Sequence, residues 1–207
     1  MWVTMRNDVT LESYEKIASH YARTHFSTKF WIKEYKIFKK LVGRGKILDV
    51  GCGGGRDAVL FVRDNFDYVG IDGSRNMIKI ARNRVKKGKF LTMNFYQMHL
   101  PNKNFDGFWA AATILHIPKR KVSRVLNSIK KILKPEGMGF ISIKEKRKMN
   151  EGIIKEKIHG GIERYFAFYT EKEFRKIIEK NGFEVVRSHI KKEDGTNWLC
   201  FFVKRIN

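Results

Sequence analysis

The sequence is poor in cysteine, acid and long apolar runs, and each shortage removes a class of protein. Two cysteines, Cys52 and Cys200, stand far apart in 207 residues. That is too few for a disulfide framework, and their spacing is not that of a metal site. A reducing, cytoplasmic setting without a bound metal is expected. No apolar stretch approaches the roughly 20 residues needed to cross a bilayer. The first residues, MWVTMRNDVTLESYEK, are polar and lack the apolar segment of a signal peptide, so no membrane is expected. Acids are outnumbered: 21 Asp and Glu against 43 Lys and Arg give a net charge of +22. Between Asp72 and Glu136 the only acid is Asp106. Such a balance draws anionic partners, RNA above all, or reflects a merely solvated surface; net charge informs on association and not on fold.

What is present organises as one α/β domain over residues 1–207, because this length suits a single core. Residues 10–42 carry apolar side chains at helical spacing (Leu11, Tyr14, Ile17, Ala18, Tyr21, then Phe30, Trp31, Tyr35, Phe38, Leu41) and predict a helical cap. Short apolar runs at 46–51, 68–72, 90–96, 105–115 and 138–143 predict five strands. Helices are expected between them at 57–63, 74–87 with Ser74 as N-cap, and from Pro118 to about residue 133. Residues 134–137 read as a turn. Strands alternating with helices imply a three-layer αβα fold on a mostly parallel sheet. After a helix at 170–181, two strands at 183–190 and 198–206 flank an Asp-Gly turn, predicting an antiparallel terminal hairpin. Residues 144–162 are polar and interrupt the alternation. With the segment to 169 they are expected to form a mobile insertion near the acceptor pocket, since ligands bind beyond the carboxyl ends of parallel strands.

The strongest chemical signal is ILDVGCGGGRD at residues 47–57. A buried strand delivers the chain to Gly51, Gly53, Gly54 and Gly55, where the backbone must turn sharply and lie bare against a ligand. Arg56 stands where a dinucleotide Gly-x-Gly-x-x-Gly motif needs its third glycine, which disfavours a nicotinamide oxidoreductase. Asp49 lies two residues before Gly51 and is placed to orient the loop or meet a cationic amino group. Asp72 closes the second strand 21 residues after Gly51, where a carboxylate accepts hydrogen bonds from both ribose hydroxyls.

With these residues in hand, the sequence resembles the class I S-adenosylmethionine-dependent methyltransferases. ILDVGCGGGRD is similar to their first motif, VGIDGS (69–74) to their second, and NFDGFWAAATILHI (104–117) and LKPEGMGFISIK (133–144) to their fourth and fifth strands. The resemblance implies a seven-stranded sheet in the order 3-2-1-4-5-7-6, with S-adenosyl-L-methionine as cofactor. By position, Asp49, Gly51, Cys52, Gly53 and Gly55 would line the methionine and ribose part. Asp72 would hold the ribose, with Gly73 and Met77 beside the adenine. The family places an acid after strand three to accept from the adenine amino group; here that position holds Asn94, a weaker neutral acceptor, followed by Phe95. Tyr14-x-x-Ile-Ala-x-x-Tyr21 resembles the family's covering helix, which puts Tyr21 near the methionine carboxylate.

A methyl group on a sulfonium is already electrophilic, so the protein's main task is to align a nucleophile in a dry pocket. His116, after strand four, is the candidate base. Arg164, Tyr165 and Tyr169, in ERYFAFYT (163–170), are candidates for holding the acceptor by stacking or by clamping an anion. The acceptor stays open between a small molecule and RNA. Residues 75–89 and 119–134 each carry seven Lys and Arg and no acid, but they belong to helices expected on opposite sheet faces, without interleaved aromatics. A cofactor-binding protein without catalysis is the remaining reading.

Overall fold

The computed structural model describes residues 9–156 and 161–206. Its elements, in chain order, are α1 (Val9–Thr24), α2 (Ile32–Val42), β1 (Lys46–Val50), α3 (Ala58–Arg63), β2 (Asp67–Asp72), α4 (Arg75–Arg84), β3 (Lys89–Thr92) and β4 (Phe105–Ala111). A 3-10 turn at Ile114–His116 leads to α5 (Lys119–Ile132), β5 (Leu133–Lys144), β6 (Glu151–Glu156), β7 (Ile162–Ala167), α6 (Glu171–Lys180), β8 (Phe183–Glu193) and β9 (Thr196–Arg205). The main sheet runs β3-β2-β1-β4-β5-β9-β8. This is the expected 3-2-1-4-5-7-6 order once the separate β6–β7 pair is left out of the count. Strand β9 is antiparallel to both neighbours.

Alternation along the strands builds two cores. Leu48, Val50, Phe108, Ile141 and Phe201 face α5 and α6, while Ile47, Trp109, Phe140 and Phe202 face α2, α3 and α4. A sheet buried on both faces needs this near-continuous apolar sequence. Helix α5 meets it with Val122, Val125, Leu126, Ile129 and Ile132, all buried, and leaves its Lys and Arg outside. The basic helices α4 and α5 thus lie on opposite faces, as the sequence implies. Among the described residues, no helix is long and apolar enough to cross a membrane.

Several boundaries differ from the sequence expectations, each for a local reason. The helical cap is two helices: the Thr24 hydroxyl donates to the His20 carbonyl at 3.0 Å at the end of α1, and α2 starts only at Ile32. The third strand stops at Thr92 because Asn94 Oδ1 accepts from the Tyr96 amide at 2.8 Å, an Asx turn that takes the chain out of the sheet. The fourth stops at Ala111, since Ala112 has φ +56° and its N–H goes to Ser142 Oγ at 2.8 Å. Helix α4 ends at Arg84, as Val85 leaves helical geometry. Residues 134–137, expected as a free turn, form a bulge inside β5. There the register jumps from Phe105 opposite Leu133 to Gly107 opposite Met138, with Glu136 at φ +64°.

The insertion is the largest correction. Strands β6 and β7 pair from Glu151–Ala167 to Glu156–Ile162 as an antiparallel hairpin; residues 157–160 of that stretch lie outside the described residues. Strand β7 docks on α1: Ser13 Oγ donates to the Glu163 carbonyl at 2.6 Å, and the Tyr165 amide donates to Thr10 Oγ1 at 2.8 Å. The terminal hairpin turns at Asp194 and Gly195, with φ of +47° and +67°, the two positive values a two-residue turn requires.

Candidate active site

The site forms where β1, β2 and β4 end. After Val50 the chain reverses: the Gly51 and Cys52 amides both donate to the Ile71 carbonyl, at 2.8 and 3.0 Å. Gly51 has φ +77°, and a Cβ there would lie 2.4 Å from Thr113 Oγ1. Gly53, at φ +50°, faces open space, with no atom within 4 Å of a would-be Cβ. Beside it stands Asp72, whose carboxylate accepts from the Gly53 and Ser74 amides, each at 2.9 Å. Burial pushes the Asp72 carboxyl up to about 6, against the lowering by these backbone donors, and nearby Glu15 adds to the rise. Ser74 caps α4 by accepting from the Met77 amide at 3.1 Å, as its place in the sequence predicts.

Below the loop, Asp49 is buried and accepts from Tyr68 Oη at 2.7 Å. Burial raises its carboxyl well above the usual range, and Asp57 adds to this. Asp57 is held from two sides: Arg56 donates through two nitrogens at 2.6 and 2.7 Å, and Trp109 Nε1 at 2.9 Å. Burial likewise pushes the Cys52 thiol up, so it is a protonated, inert lining group.

Helix α1 covers this floor. Leu11 Cδ1 stands 3.0 Å from where a Gly73 Cβ would sit, and Ala22 Cβ 2.7 Å from that of Gly54. On the α4 side, Ser74 Oγ donates to Glu15, Asn76 Nδ2 to the Glu15 carbonyl at 3.0 Å, and Arg84 bridges the carbonyls of Gly54 and Ala22 at 2.8 and 3.0 Å. On the other side α1 is pinned to β7. A cavity of about 330 Å³ is left between helix and sheet.

Eleven of the residues singled out from sequence line this cavity: Asp49, Gly51, Cys52, Gly53, Asp72, Gly73, Met77, Asn94 and Phe95, with Tyr21 and His116. Four do not. Gly55 packs against α4, where a Cβ would come within 3.2 Å of the Ala81 backbone. Tyr169 is fully buried against Phe174 in the α5–α6 core. The Tyr165 side chain turns to Glu151, and its backbone serves the site instead. Arg164 lies behind the wall, buried over the faces of Tyr14, Tyr21 and Phe166, with Glu156 as its ion-pair partner.

The acceptor end carries a linear hydrogen-bond chain. His116 Nδ1 lies 2.7 Å from the Tyr165 carbonyl, which can only accept, so Nδ1 bears the hydrogen. Burial drives the His116 pKa down to about 3, overcoming the Tyr165 carbonyl, with Arg164 and Lys144 adding to the fall. The ring is therefore neutral and Nε2 is an acceptor, taking the Tyr14 hydroxyl hydrogen at 3.1 Å. Arg164 Nη1 in turn donates to Tyr14 Oη at 2.5 Å. Tyr14 also packs edge-on against Tyr21, which stacks on His25. Tyr14, visible in sequence only as a covering-helix residue, is the hub of this end of the cavity.

Comparison with known proteins agrees with this architecture. A methyltransferase-domain family model matches residues 47–137, which run from β1 into the β5 bulge. An uncharacterized protein of Methanocaldococcus jannaschii is 32% identical over 199 residues, covering 84% of this chain and 76% of its own length. The methyltransferase GfsG of Streptomyces halstedii is 36% identical over 99 residues, 44% of this chain; the chain spans 35% of that enzyme's length. In fold, the chain matches the Burkholderia thailandensis 1,6-didemethyltoxoflavin-N1-methyltransferase, solved with S-adenosylhomocysteine. The TM-score is 0.75 at 19% identity, covering 95% of this chain and 88% of that one. Glycine loop, sheet order and sequence relatives agree, and the chain belongs to the class I S-adenosylmethionine-dependent methyltransferases.

Proposed function

We propose that the protein transfers a methyl group from S-adenosyl-L-methionine to a small-molecule acceptor held against Tyr14. The observation that carries this reading is the roof over the cavity: α1 lies across the glycine loop and is bonded to α4 on one side and β7 on the other. Such a roof suits a small molecule better than a polymer, which would have to present its methylated group through the mouth that α1 leaves. The residues fit the cofactor. Gly53 leaves bare backbone at the cavity, and Asp72, fixed by two amide donors, keeps lone pairs for ribose hydroxyls. Asn94 lines the same wall, with its oxygen already accepting from Tyr96, so as a neutral acceptor it holds an adenine amino group less firmly than a carboxylate would. When bound, S-adenosylmethionine supplies a methyl group made electrophilic by its sulfonium.

The chain's own part is alignment and exclusion of water. Tyr14 gives its hydrogen to His116 and receives one from Arg164, with the Tyr21 hydroxyl also bonded to it, which fixes this hydroxyl at the end of the cavity where an acceptor would lie. His116 is a poor base: with a pKa of about 3, holding a proton at neutral pH costs about 5 kcal/mol. Its role is to fix the Tyr14 hydroxyl, and the acceptor suited to this site is a nucleophile that needs little deprotonation. The test is incubation with methyl-labelled cofactor and either a small-metabolite extract or total RNA from the same cells. Label is expected in the metabolite fraction. Label confined to RNA, or cofactor binding without transfer to either, would overturn the proposal.

A further inference from the structure

A second constellation lies toward the β8 edge of the sheet, on β9 and β8, three and four strands from β1. His189 on β8 and Cys200 on β9 are directly paired across the terminal hairpin, so their side chains share a sheet face. That face packs on α2, whose first turn supplies Glu34. The carboxylate, imidazole and sulfur atoms of the three residues all lie within 4.8 Å of one another. Glu34 is 1% exposed and Cys200 fully buried. Among the described residues, the contact between His189 Nε2 and Glu34 Oε1, at 2.9 Å, is the one polar partnership of the Glu34 carboxylate. Glu34 Oε2 and His189 Nδ1 are both buried with no hydrogen-bond partner among the described residues. Buried polar atoms left unpaired are rare and call for a reason.

We propose that Glu34, His189 and Cys200 bind a zinc ion that ties α2 to the terminal hairpin. Imidazole, thiolate and carboxylate are the donors zinc takes, and three protein ligands with one open position is a known composition for it. A tetrahedral zinc holds its donors about 3.3–3.8 Å apart, so the His–Glu pair opens slightly and the sulfur closes in by side-chain rotation. Charge favours the fit as well. A zinc dication, one carboxylate, one thiolate and a neutral imidazole sum to zero, which a buried site bears better than a half-satisfied carboxylate. On binding, the Cys200 S–H proton leaves to solvent as the S–Zn bond forms; nothing is oxidised or reduced. The cations near the sulfur are Lys33 and Lys191, the latter paired with Glu193 at 2.9 Å and lying over Phe30 and Trp31. The His189 side chain is 22% exposed, which leaves water access to the open position.

The test uses the full chain, reduced and stripped with a chelator, then titrated with cobalt(II) as a spectroscopic stand-in and with zinc. One equivalent of cobalt is expected to give thiolate-to-cobalt charge-transfer absorption that zinc abolishes. The absorption is expected to survive in Cys52→Ser and to vanish in Cys200→Ser. His189→Ala should weaken zinc binding at least tenfold, and zinc should raise the melting temperature of the wild type but not of Cys200→Ser. Wild-type protein that gives no charge-transfer band, or a band that persists in Cys200→Ser, overturns the proposal without reference to any variant's activity.

Discussion

Gly51 and Gly53 both have positive φ two residues apart, yet the structure assigns them different duties, and alanine at each position separates fold from binding. An L-residue in the left-handed region costs about 1–2 kcal/mol. At Gly53, with nothing within 4 Å of the new methyl, that is the whole stability cost. At Gly51 the methyl would also overlap Thr113, 2.4 Å from Oγ1 and 2.5 Å from Cγ2, adding about 1–3 kcal/mol for overpacking. For a chain of this size about 1 kcal/mol moves the melting temperature by roughly 2–4 °C. Gly53→Ala should therefore melt roughly 2–8 °C below wild type, and Gly51→Ala roughly 4–20 °C below it. Binding should rank the other way per unit of stability lost. The Gly53 methyl occupies the surface on which the cofactor lies, and Gly53→Ala should lose at least tenfold in S-adenosylmethionine affinity, about 1.4 kcal/mol. Thr113→Ala placed on Gly51→Ala should recover part of the lost stability and recover none when placed on Gly53→Ala. Thermal unfolding and calorimetric titration of the four proteins read all of this. Equal stability of the two glycine variants, or wild-type affinity in Gly53→Ala, refutes the reasoning.

The same geometry sets four further outcomes. Asp72→Ala should weaken cofactor binding by about 1.5–3 kcal/mol, the worth of hydrogen bonds to a charged group, as measured by calorimetry. The folded Asp72 pKa of about 6 exceeds the unfolded value, so this carboxyl favours the folded state below about pH 4 and loses that contribution as pH rises to 6. Cofactor affinity, which needs the carboxylate, should then rise between pH 5 and 7, and rise less steeply in Asp72→Asn. His116 works in the opposite sense: its folded pKa of about 3 lies below the unfolded value, so its burial costs stability as pH falls from 6.5 toward 3. Its imidazole resonances should not titrate between pH 5 and 8, as magnetic resonance would show. Tyr14→Phe leaves His116 Nε2 without a donor and Arg164 Nη1 without an acceptor. It should cost about 1–3 kcal/mol in unfolding free energy and lower transfer more than cofactor affinity, measured by denaturation and steady-state kinetics.

The parts of the site that a reader of the sequence recovers are those a local stretch encodes by itself. Gly51 and Gly53 are needed by a tight reversal between a buried strand and a helix, and Asp72 ends a strand whose apolar run marks its own boundary. Gly55 shows the limit: the same local pattern serves for backbone packed on Ala81, and only the position of α4 distinguishes the two. Tyr169 and Arg164 look alike in sequence as polar members of an aromatic segment. The first is drawn into the α5–α6 core and the second is caught between Tyr14 and Glu156. The Arg164–Tyr14–His116 chain joins residues about 50 to 150 positions apart on three elements, and Glu34 lies 155 positions from His189. No spacing rule reaches such pairs. The β6–β7 hairpin was hidden because β6 is a short, largely exposed strand in a polar stretch, and much of what β7 packs against is α1, far away in sequence.

The central claim is that the space between Gly53, Asp72 and α1 is built for an adenosine-bearing sulfonium compound. A crystal structure of the chain with S-adenosylhomocysteine tests it most directly. Nucleoside density is predicted against the bare backbone of Gly53, with ribose hydroxyls on the Asp72 carboxylate and α1 closed above. Saturated crystals with that space filled by protein side chains, or with the nucleoside seated elsewhere on the molecule, would contradict it.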